Sequence, residues 1–174
     1  MLIPFGILSA AASVVGRVGV AGYFYGGYNT SPALVKSATK LSFPSDTRST
    51  ITNALTDVGS YLAGFANSGV AGYAGGGQSG ALARVDKTTF PSDTLSTLGT
   101  GLSSNSLLGA GMANSGVAGY NAIGDTTGGT NFVSTVDKFA FSNDGRSTLG
   151  TGLSGARGFL NGFGNVGEIG RAHV

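Results

Sequence analysis

Residues 69–102 read GVAGYAGGGQSGALARVDKTTFPSDTLSTLGTGL, and this stretch decides the fold because its parts recur along the chain. The pentapeptide GVAGY starts at Gly19, Gly69 and Gly116, so successive copies lie 50 and 47 residues apart. A second landmark keeps the same order, as LSFPSDTRST at 41–50, TTFPSDTLST at 88–97 and FAFSNDGRST at 139–148. Repetition with a period of roughly 20–50 residues indicates a repeat architecture.

Each repeat divides into four short strands separated by turn signals. In the middle repeat the sequence predicts strands over 61–66, 70–75, 83–90 and 96–102. The Asn-Ser-Gly sequence between the first two strands suits a tight hairpin, and the Pro-Ser-Asp-Thr sequence between the last two suits a β-turn. Four short meandering strands per repeat are typical of one blade of a β-propeller.

Variation in length is confined to one connection of the repeat. From the Phe of the second landmark to the next GVAGY there are 26 residues in both complete cases. From GVAGY to the following Phe the distance is 24, 21 and 25 residues. Fixed strands with one variable connection indicate surface loops on one side of the blades, where recognition tends to lie. The variable loops are 29–34, 78–81 and 125–131.

The aromatic strand that ends in two glycines, followed by a loop and a polar strand, resembles the kelch repeat. The best match is GYFYGGY at 22–28, followed by GYAGGG at 72–77, and the third repeat has GYNAIGD at 119–125. The sequence GLSGARGFL at 152–160 resembles the kelch segment with an Arg before the next blade. The resemblance covers about residues 8–165 and implies a β-propeller, although the chain lacks the Trp that kelch repeats usually carry.

We therefore expect an all-β chain, a kelch-like β-propeller fragment of three four-stranded blades plus the first strand of a fourth. The expected divisions are blade 1 at 1–57, blade 2 at 58–104, blade 3 at 105–157, the first strand of blade 4 at 158–167 and a terminal segment at 168–174. Propellers usually have about 4–8 blades, so we expect an open arc with apolar end faces. A β-helix or a trimeric fibre is the alternative, but β-helix repeats are usually much shorter.

Both ends of the chain carry a second interpretation. The apolar start, MLIPFGILSAAASVVG, fits a signal segment or the first strand of blade 1 at 8–15; the strand is favoured because Arg17 follows the apolar stretch instead of preceding it. The opening MLIPFGIL also resembles the start of tailed-phage structural proteins. At the other end, EIGRAHV at 168–174 matches the translation of a common short-read sequencing adapter and contains the only Glu and the only His of the chain. We expect this segment to be adapter read-through.

Composition excludes several classes of protein. Gly is 32 of 174 residues and Pro only 4, without a Gly-X-Y period, which excludes collagen. Hydrophobic residues make up 41% and charged residues 10%, the wrong balance for a disordered chain. The net charge of +2 comes from scattered residues with no basic run, so nucleic-acid binding is not expected. The apolar start is too short to span a bilayer.

No pattern of residues demands a chemistry. The chain has no Cys, and its single His lies in the adapter-like segment. Neither a Cys–His nor a Ser–His–Asp arrangement can therefore be assembled, nor the Cys and His that kelch-type copper-radical oxidases need. We expect no catalytic residue, no cofactor and no metal. The recurring Asp46, Asp93 and Asp144 stand alone in their turns, without the ligand spacing of a calcium loop, and are predicted to build those turns.

The other recurring residues are predicted to serve packing. The glycines at 26–27 and 75–77 are predicted to allow close approach of strands, because no helix follows them to form a phosphate loop. The Asp-Lys pairs at 86–87 and 137–138 point to opposite faces and either pair across blades or face water. Tyr23, Tyr73 and Tyr120 are predicted to pack between blades. The predicted core is Val70, Tyr73, Val85, Phe90, Leu98 and Leu102, with Val117, Tyr120, Val136, Phe141, Leu149 and Leu153.

The expected function is non-enzymatic recognition, in which the variable loops bind a glycan or a protein on a host or neighbouring surface. Short polar and aromatic side chains in these loops can hydrogen-bond to a sugar and stack on it. A phage or bacterial surface component fits this expectation, with a virion or extracellular location. The alternatives are an architectural virion or fibre component that self-associates through open blade faces and, third, part of a propeller enzyme. The predicted binding residues are Tyr25, Tyr28, Asn29, Gln78, Asp125, Thr126, Thr127 and Asn131.

Overall fold

The structure is a computed structural model that describes residues 21–78 and 82–165. Within these ranges the chain forms β-strands and no helix. The strands are β1 (Ala21–Tyr25), β2 (Ala38–Ser42), β3 (Thr47–Ile51), β4 (Leu62–Asn67), β5 (Ala71–Gly76), β6 (Val85–Thr89), β7 (Thr94–Thr97), β8 (Ala110–Asn114), β9 (Ala118–Ala122), β10 (Val136–Ala140) and β11 (Gly145–Thr148).

The strands form three antiparallel sheets that follow the repeat. Sheet 1 contains β1 to β3, sheet 2 contains β4 to β7 and sheet 3 contains β8 to β11, each as a meander in chain order. The all-β, propeller-like architecture is therefore confirmed, although the described residues do not close a ring. The predicted first strand at 8–15, with its signal-segment alternative, and the adapter-like segment at 168–174 lie outside the described residues.

The sheets stack face to face and approach each other most closely at their first strands. Strand β4 contacts β8 and β9. A Cβ atom on Gly111 of β8 would collide with the backbone carbonyl of Gly64 in β4, and one on Gly162 would lie 2.5 Å from the carbonyl oxygen of Gly111. The segment 158–165 therefore lies against β8 as β8 lies against β4, although it forms no strand of its own. Small residues make this column of backbones sterically possible.

Three of the four strands predicted for the middle repeat are observed within two residues of their predicted ends, and the fourth is corrected. Strand β7 (Thr94–Thr97) is shorter and begins earlier than the predicted 96–102. The chain leaves the regular ladder at Gly99 and Gly101, because glycine weakens a strand. It keeps contact with the sheet at two points, where the amides of Leu98 and Leu102 donate to backbone carbonyls at 2.9 and 2.6 Å.

The predicted core is confirmed at four positions and wrong at two. Tyr73, Val85, Leu102 and Val136 are buried. Val70 and Val117 are 48% and 54% exposed, because each lies between a hairpin glycine and the start of the next strand. The carbonyls of these two valines, not their side chains, hold the sheet by accepting hydrogen bonds from the amides of Phe90 and Phe141. The other six predicted positions are half-buried: Phe90, Leu98, Tyr120, Phe141, Leu149 and Leu153.

Two phenylalanines outside the predicted core lie at its centre. Phe65 and Phe139 are 6% and 1% exposed. The ring of Phe65 stacks on Tyr73, Phe139 and Phe141, with centroids 5.0, 5.6 and 6.5 Å away. Sheet 2 has a neighbouring sheet on each side, so side chains on both faces of its strands are buried, and alternation along a strand does not reveal which are core.

A repeated cluster, which we name the latch, joins each sheet to the next. At the first interface, Tyr23 and Lys40 are cross-strand neighbours in sheet 1. The Tyr23 hydroxyl and the Lys40 ammonium each donate to the Asp93 carboxylate of sheet 2, both at 2.7 Å. The Tyr23 ring also stacks on Phe90 of sheet 2 with a centroid distance of 4.8 Å. The predicted packing role of Tyr23 between sheets is thus confirmed.

The second latch repeats the first with equivalent residues. Tyr73 and Lys87, again cross-strand neighbours, donate to the Asp144 carboxylate of sheet 3 at 2.8 and 2.6 Å. The Tyr73 ring stacks on Phe141 at 5.5 Å. Lys87 was predicted either to pair across blades or to face water, and pairing across blades is confirmed. The three aspartates also build their turns as predicted, since Asp46, Asp93 and Asp144 all have left-handed backbones with φ of 53°, 55° and 56°.

The latch contacts shift the pKa values of their members. The hydrogen bond to Asp93 raises the pKa of Lys40. Burial raises the pKa of Tyr23, and its hydrogen bond to Asp93 raises it further. Burial opposes ionisation of Asp93, but the hydrogen bonds from Lys40 and Tyr23 outweigh it and lower the pKa of this carboxyl. Burial and the hydrogen bond to Asp144 raise the pKa of Tyr73 well above its ordinary value.

Two connections between successive sheets are each tied by one buried carboxylate to the sheet that follows. Asp86 is 3% exposed and accepts hydrogen bonds from the Thr56 amide and hydroxyl at 2.9 and 2.8 Å. The Thr97 hydroxyl and the Arg84 guanidinium donate to Asp86 at 2.7 and 3.1 Å. The equivalent Asp137 accepts hydrogen bonds from the Ser103 amide and the Thr148 hydroxyl, both at 2.6 Å. These donors occupy both oxygens of each carboxylate, which is the arrangement of a structural group.

Candidate ligand site at the loop rim

The variable loops and the links between sheets lie at one end of the stack, which we name the loop rim. In a meander the connection after the second strand and the connection after the fourth leave the sheet at the same end. The hairpins after the first strands and the latch aspartates lie at the opposite end, the latch end. The rim consists of the loops 26–37, 77–84 and 123–135 and the links 52–61, 98–109 and 149–160, with 79–81 outside the described residues.

Three large side chains, which we name the rim row, occupy equivalent positions on successive links. They are Tyr61, Leu108 and Phe159, spaced 47 and 51 residues apart. Their φ angles are 59°, 55° and 55°, a left-handed region that bulky residues rarely adopt. Each such residue costs about 1–3 kcal/mol and persists only where its surroundings enforce it. Tyr61 and Phe159 are nevertheless 50% and 76% exposed.

Hydrogen bonds just before the rim row explain its backbone conformation. The backbone amide of Gln78 donates to the Ser60 carbonyl at 2.7 Å. The backbone amides of Leu107 and Asp125 each donate to the other residue's backbone carbonyl at 2.8 Å. A chain that is held at residue 60 or 107 and enters a strand two or three residues later must change direction within that span, and the left-handed conformation achieves this. A Cβ atom on Gly76 would collide with the Ser106 carbonyl, so the predicted close approach at the paired glycines is also observed.

Two adjoining clefts lie beside the rim row, and both are lined by all three of its side chains. The first has a volume of about 310 Å³ and is completed by the starts of the first strands at Leu62 and Gly109 and by the segment 160–161. The second has a volume of about 260 Å³ and is completed by Gln78, Leu107 and the glycines at 128–129. The first volume is at the lower end of the range for small-ligand sites, roughly 300–1,000 Å³, and the second is slightly below that range.

Gln78 connects the second cleft to the first variable loop. The Tyr28 hydroxyl donates to the Gln78 amide oxygen at 2.9 Å, and the Ser60 hydroxyl donates to the same oxygen at 3.3 Å. Tyr28 is 53% exposed, so its ring extends the aromatic surface of the rim. Asn29 shapes the loop itself, because its side-chain oxygen accepts hydrogen bonds from the amides of Ser31 and Ala33, both at 3.0 Å.

The third variable loop is organised around a buried carboxylate. Asp125 is fully buried and accepts a hydrogen bond from the Thr127 amide at 2.9 Å, and this contact lowers its pKa although burial opposes the shift. The Thr126 amide donates to the Asn131 carbonyl at 3.1 Å and closes the loop. Asp125 thus holds the loop that carries the cleft glycines, while Thr127 and Asn131 are exposed on it.

The structure brings together most, but not all, of the predicted binding residues. Gln78 lines the second cleft, and Tyr28 adjoins it through its hydrogen bond to Gln78. The loop of Asp125, Thr126, Thr127 and Asn131 contributes the glycines at 128–129 to the lining. Asn29 lies in the loop that carries Tyr28. Tyr25 does not lie at the rim: its side chain is half-buried between sheets 1 and 2, with the hydroxyl position 3.6 Å from a Cβ placed on Gly72. Burial raises the pKa of Tyr25.

The rim row itself was not among the predicted site residues. Tyr61 was assigned to the strand 61–66, where it would have alternated with its neighbours as an ordinary strand residue. Its left-handed backbone depends on hydrogen bonds from a different loop, which the sequence does not display. One signal was present: Tyr61, Leu108 and Phe159 are large residues at the same repeat position, each three residues before a Gly.

The described part of the clefts offers contact and hydrogen-bonding surface. Tyr61, Gln78, Leu108 and Phe159 carry rings, an alkyl group and an amide. Across residues 21–78 and 82–165, no three His, Cys, Asp or Glu side chains come together in a way that could hold a metal ion. No helix within the same ranges is long and apolar enough to cross a membrane.

Comparison with known proteins assigns no family to the chain. No family model matches it, and no curated protein is significantly similar to it in sequence. Its function is therefore argued from the geometry of the rim.

Proposed function

We propose that this chain is a non-enzymatic recognition module, part of a kelch-like β-propeller, that binds a glycan at its loop rim. The observation that supports this proposal is the rim row of Tyr61, Leu108 and Phe159. Three successive links each keep a large side chain in a left-handed conformation that glycine would adopt without strain. Strained backbone of this kind clusters at binding sites. A large residue retained there, beside a cleft, supports contact with a ligand.

The side chains around the clefts have the chemistry that sugars require. The exposed rings of Tyr61 and Phe159 offer flat apolar faces, on which the C–H face of a pyranose can stack. Gln78 and Tyr28 already share a hydrogen bond and can each make another to sugar hydroxyls. Aromatic side chains have few rotatable bonds, so ordering them on binding costs little free energy. Several such contacts along one rim suit an extended oligosaccharide better than a single small molecule.

The proposed setting is the surface of a phage particle or of a bacterium, where the module binds a glycan on a host or neighbouring surface. The resemblance of MLIPFGIL to the start of tailed-phage structural proteins supports this setting. So does the distribution of variability, because length differences fall only in the connections that form the rim. A virion or extracellular location is part of the same proposal.

A glycan array probed with the whole chain tests the proposal. Tyr61→Gly and Phe159→Gly each remove a ring while suiting the left-handed backbone, so the fold should be kept. We expect each to weaken binding by about tenfold, as loss of an aromatic side chain at a binding hot spot does. Val117→Ala, at an exposed position of the latch end, is the matched control and should bind as the wild type does. Equal binding by both glycine variants and the wild type would refute the site.

The class of ligand is tested on intact bacterial cells. Periodate oxidation destroys sugars, and protease treatment removes surface proteins. Binding that is lost after periodate and kept after protease supports the glycan. The reverse result would show that the partner is a protein. Exchange of the three variable loops for Gly-Ser segments of equal length should abolish binding, and unchanged binding would move the site away from the rim.

A further inference from the structure

Each interface between sheets pairs the same two sets of residues. The set that projects from sheet 2 is Phe65, Tyr73 and Lys87, which are direct cross-strand neighbours on β4, β5 and β6. The set that receives it on sheet 3 is Gly119, Phe141 and Asp144. A Cβ atom on Gly119 would collide with the Phe65 ring, so glycine is needed where the ring enters. The Phe65 ring thus has Gly119 as its partner. The Tyr73 hydroxyl and the Lys87 ammonium both have the Asp144 carboxylate.

The interface between sheets 1 and 2 uses the same receiving set. Gly72, Phe90 and Asp93 take the places of Gly119, Phe141 and Asp144. The contact distances agree between the two interfaces, with donor–acceptor distances of 2.6 to 2.8 Å in both latches. The interface is therefore a repeated unit that any two sheets with these residues can form.

Among residues 21–78 and 82–165, the two outer faces of the stack carry both sets without a partner sheet, although the segment 158–165 lies against β8 at the edge of sheet 3. Sheet 3 presents Met112, Tyr120 and Lys138 as cross-strand neighbours on β8, β9 and β10, and we name this the projecting face. Met112 is 44% exposed. Within the described residues, nothing accepts a hydrogen bond from the Tyr120 hydroxyl or pairs with the Lys138 ammonium.

Sheet 1 presents the receiving set, Gly22, Phe43 and Asp46, which we name the receiving face. A Cβ placed on Gly22 would lie 3.3 Å from the Phe43 ring, so the two residues share one side of the sheet. Phe24 lies on the same side by strand alternation and is 70% exposed, and Phe43 is 42% exposed. Within the described residues, Asp46 accepts no hydrogen bond and has no ion pair.

We propose that the projecting face of one copy of this chain binds the receiving face of a second copy, head to tail. Tyr120 and Lys138 then donate to Asp46 of the second copy, and Tyr120 stacks on its Phe43. Charge complementarity and continuity with the two internal interfaces support this contact. Association of two projecting faces would instead oppose two lysines. This inference goes beyond recognition at the rim and leaves the rim accessible.

A head-to-tail contact is heterologous, so it either closes a ring or grows into a filament. Both outcomes follow from the same pair of faces, and the rotation between copies selects one. In either assembly the loop rims of successive copies lie on the same side, which multiplies the proposed glycan sites. Repeated weak sites on one particle raise the apparent affinity through effective concentration.

Charge reversal on the whole chain tests the proposal by sedimentation velocity over a concentration series. Asp46→Lys and Lys138→Asp each oppose like charges across the interface, and each should raise the dissociation constant by roughly 30-fold or more. The double variant Asp46→Lys/Lys138→Asp restores opposite charges in every interface and should associate nearly as the wild type does. Neither residue contributes to an internal latch, so Lys138→Asp should unfold at nearly the wild-type temperature. Asp46 also builds its turn at a φ of 53°, so variants with Asp46→Lys should unfold at a slightly lower temperature.

Two exposed charges elsewhere supply matched controls. Asp57→Lys and Lys36→Asp make the same charge changes outside both faces and should leave association unchanged. A wild-type chain that stays monomeric at every concentration would overturn the proposal. So would single variants that associate as the wild type does, or a double variant that fails to recover.

Discussion

The two ends of the sheet stack follow opposite rules. At the latch end, every turn keeps its aspartate and every interface repeats the same Tyr, Lys and Asp contacts at nearly the same distances. At the loop rim, no two variable loops have the same length or sequence, and Tyr61, Leu108 and Phe159 share a left-handed backbone but not a side chain. The latch end repeats its side chains, whereas the variable loops and the rim row differ in theirs.

This difference separates stability from recognition. Latch contacts are largely shielded from water and join sheets that are distant in sequence, so their loss should lower the free energy of unfolding. Rim residues are exposed and strained, so their loss should cost little stability or even add to it. Substitutions at positions that are equivalent in the repeat but differ in burial or in partners test this separation.

The largest effect is expected at the centre of the interface between sheets 2 and 3. Phe65→Ala removes a ring that stacks on three others and should lower the free energy of unfolding by about 3–5 kcal/mol. Met112→Ala changes the equivalent position of the next repeat, which is 44% exposed, and should cost less than about 1 kcal/mol. Urea denaturation at concentrations where the chain is monomeric measures both. Equal costs would show that the stacked rings do not stabilise the interface.

The next effect separates a formed latch from an unformed one. Asp144→Asn keeps the turn-building side chain but removes the charge that holds Lys87, and should cost about 1 kcal/mol because the pair is partly exposed. Asp46→Asn makes the same change in a turn whose aspartate has no partner among the described residues, and should cost a few tenths at most. If Asp46→Asn costs as much as Asp144→Asn, turn geometry and not the latch determines the stability.

The sequence was sufficient to predict the sheets but not how they fit together. The repeat length, the hairpin Asn-Ser-Gly and the Pro-Ser-Asp turn placed β4, β5 and β6 within two residues, because strands and turns depend on local residues. The latch partners lie 53 to 71 residues apart, and no local pattern identifies them. Phe65 was missed because sheets buried on both faces have no solvent side for alternation to mark.

The latch end should also determine how stability responds to alkaline pH. The pKa values of Tyr23, Tyr73 and Lys40 are raised in the fold, so their contribution is fully present below their unfolded values. It is lost as the pH rises above about 10, where these groups ionise in the unfolded chain. The free energy of unfolding, measured by urea titration at several pH values, should therefore fall above that pH.

The double variant Tyr23→Phe/Tyr73→Phe isolates the tyrosine contribution to this dependence. It should be less stable than the wild type at neutral pH, because two hydrogen bonds to aspartate are lost, yet its stability should fall less steeply above pH 10. On the acid side, the lowered pKa of Asp93 contributes stability that is lost as the pH falls below about 4. If the free energy of unfolding of the double variant falls as steeply above pH 10 as that of the wild type, the tyrosine contacts do not contribute to this pH dependence.

The smallest effect on stability is expected at the rim and has the opposite sign. Tyr61→Gly places a residue that favours the left-handed region where φ is 59°, so it relieves strain, although glycine also makes the unfolded chain more flexible. The net change should be within about 1 kcal/mol of zero, on the stabilising side if strain dominates. The same substitution should weaken glycan binding by about tenfold, so that the variant is about as stable as the wild type but binds less tightly. Tyr73→Gly, at an equally large side chain of the latch end, should instead lower stability severely. A Tyr61→Gly variant that unfolds as easily as Tyr73→Gly would show that the rim row packs the fold and does not serve a ligand.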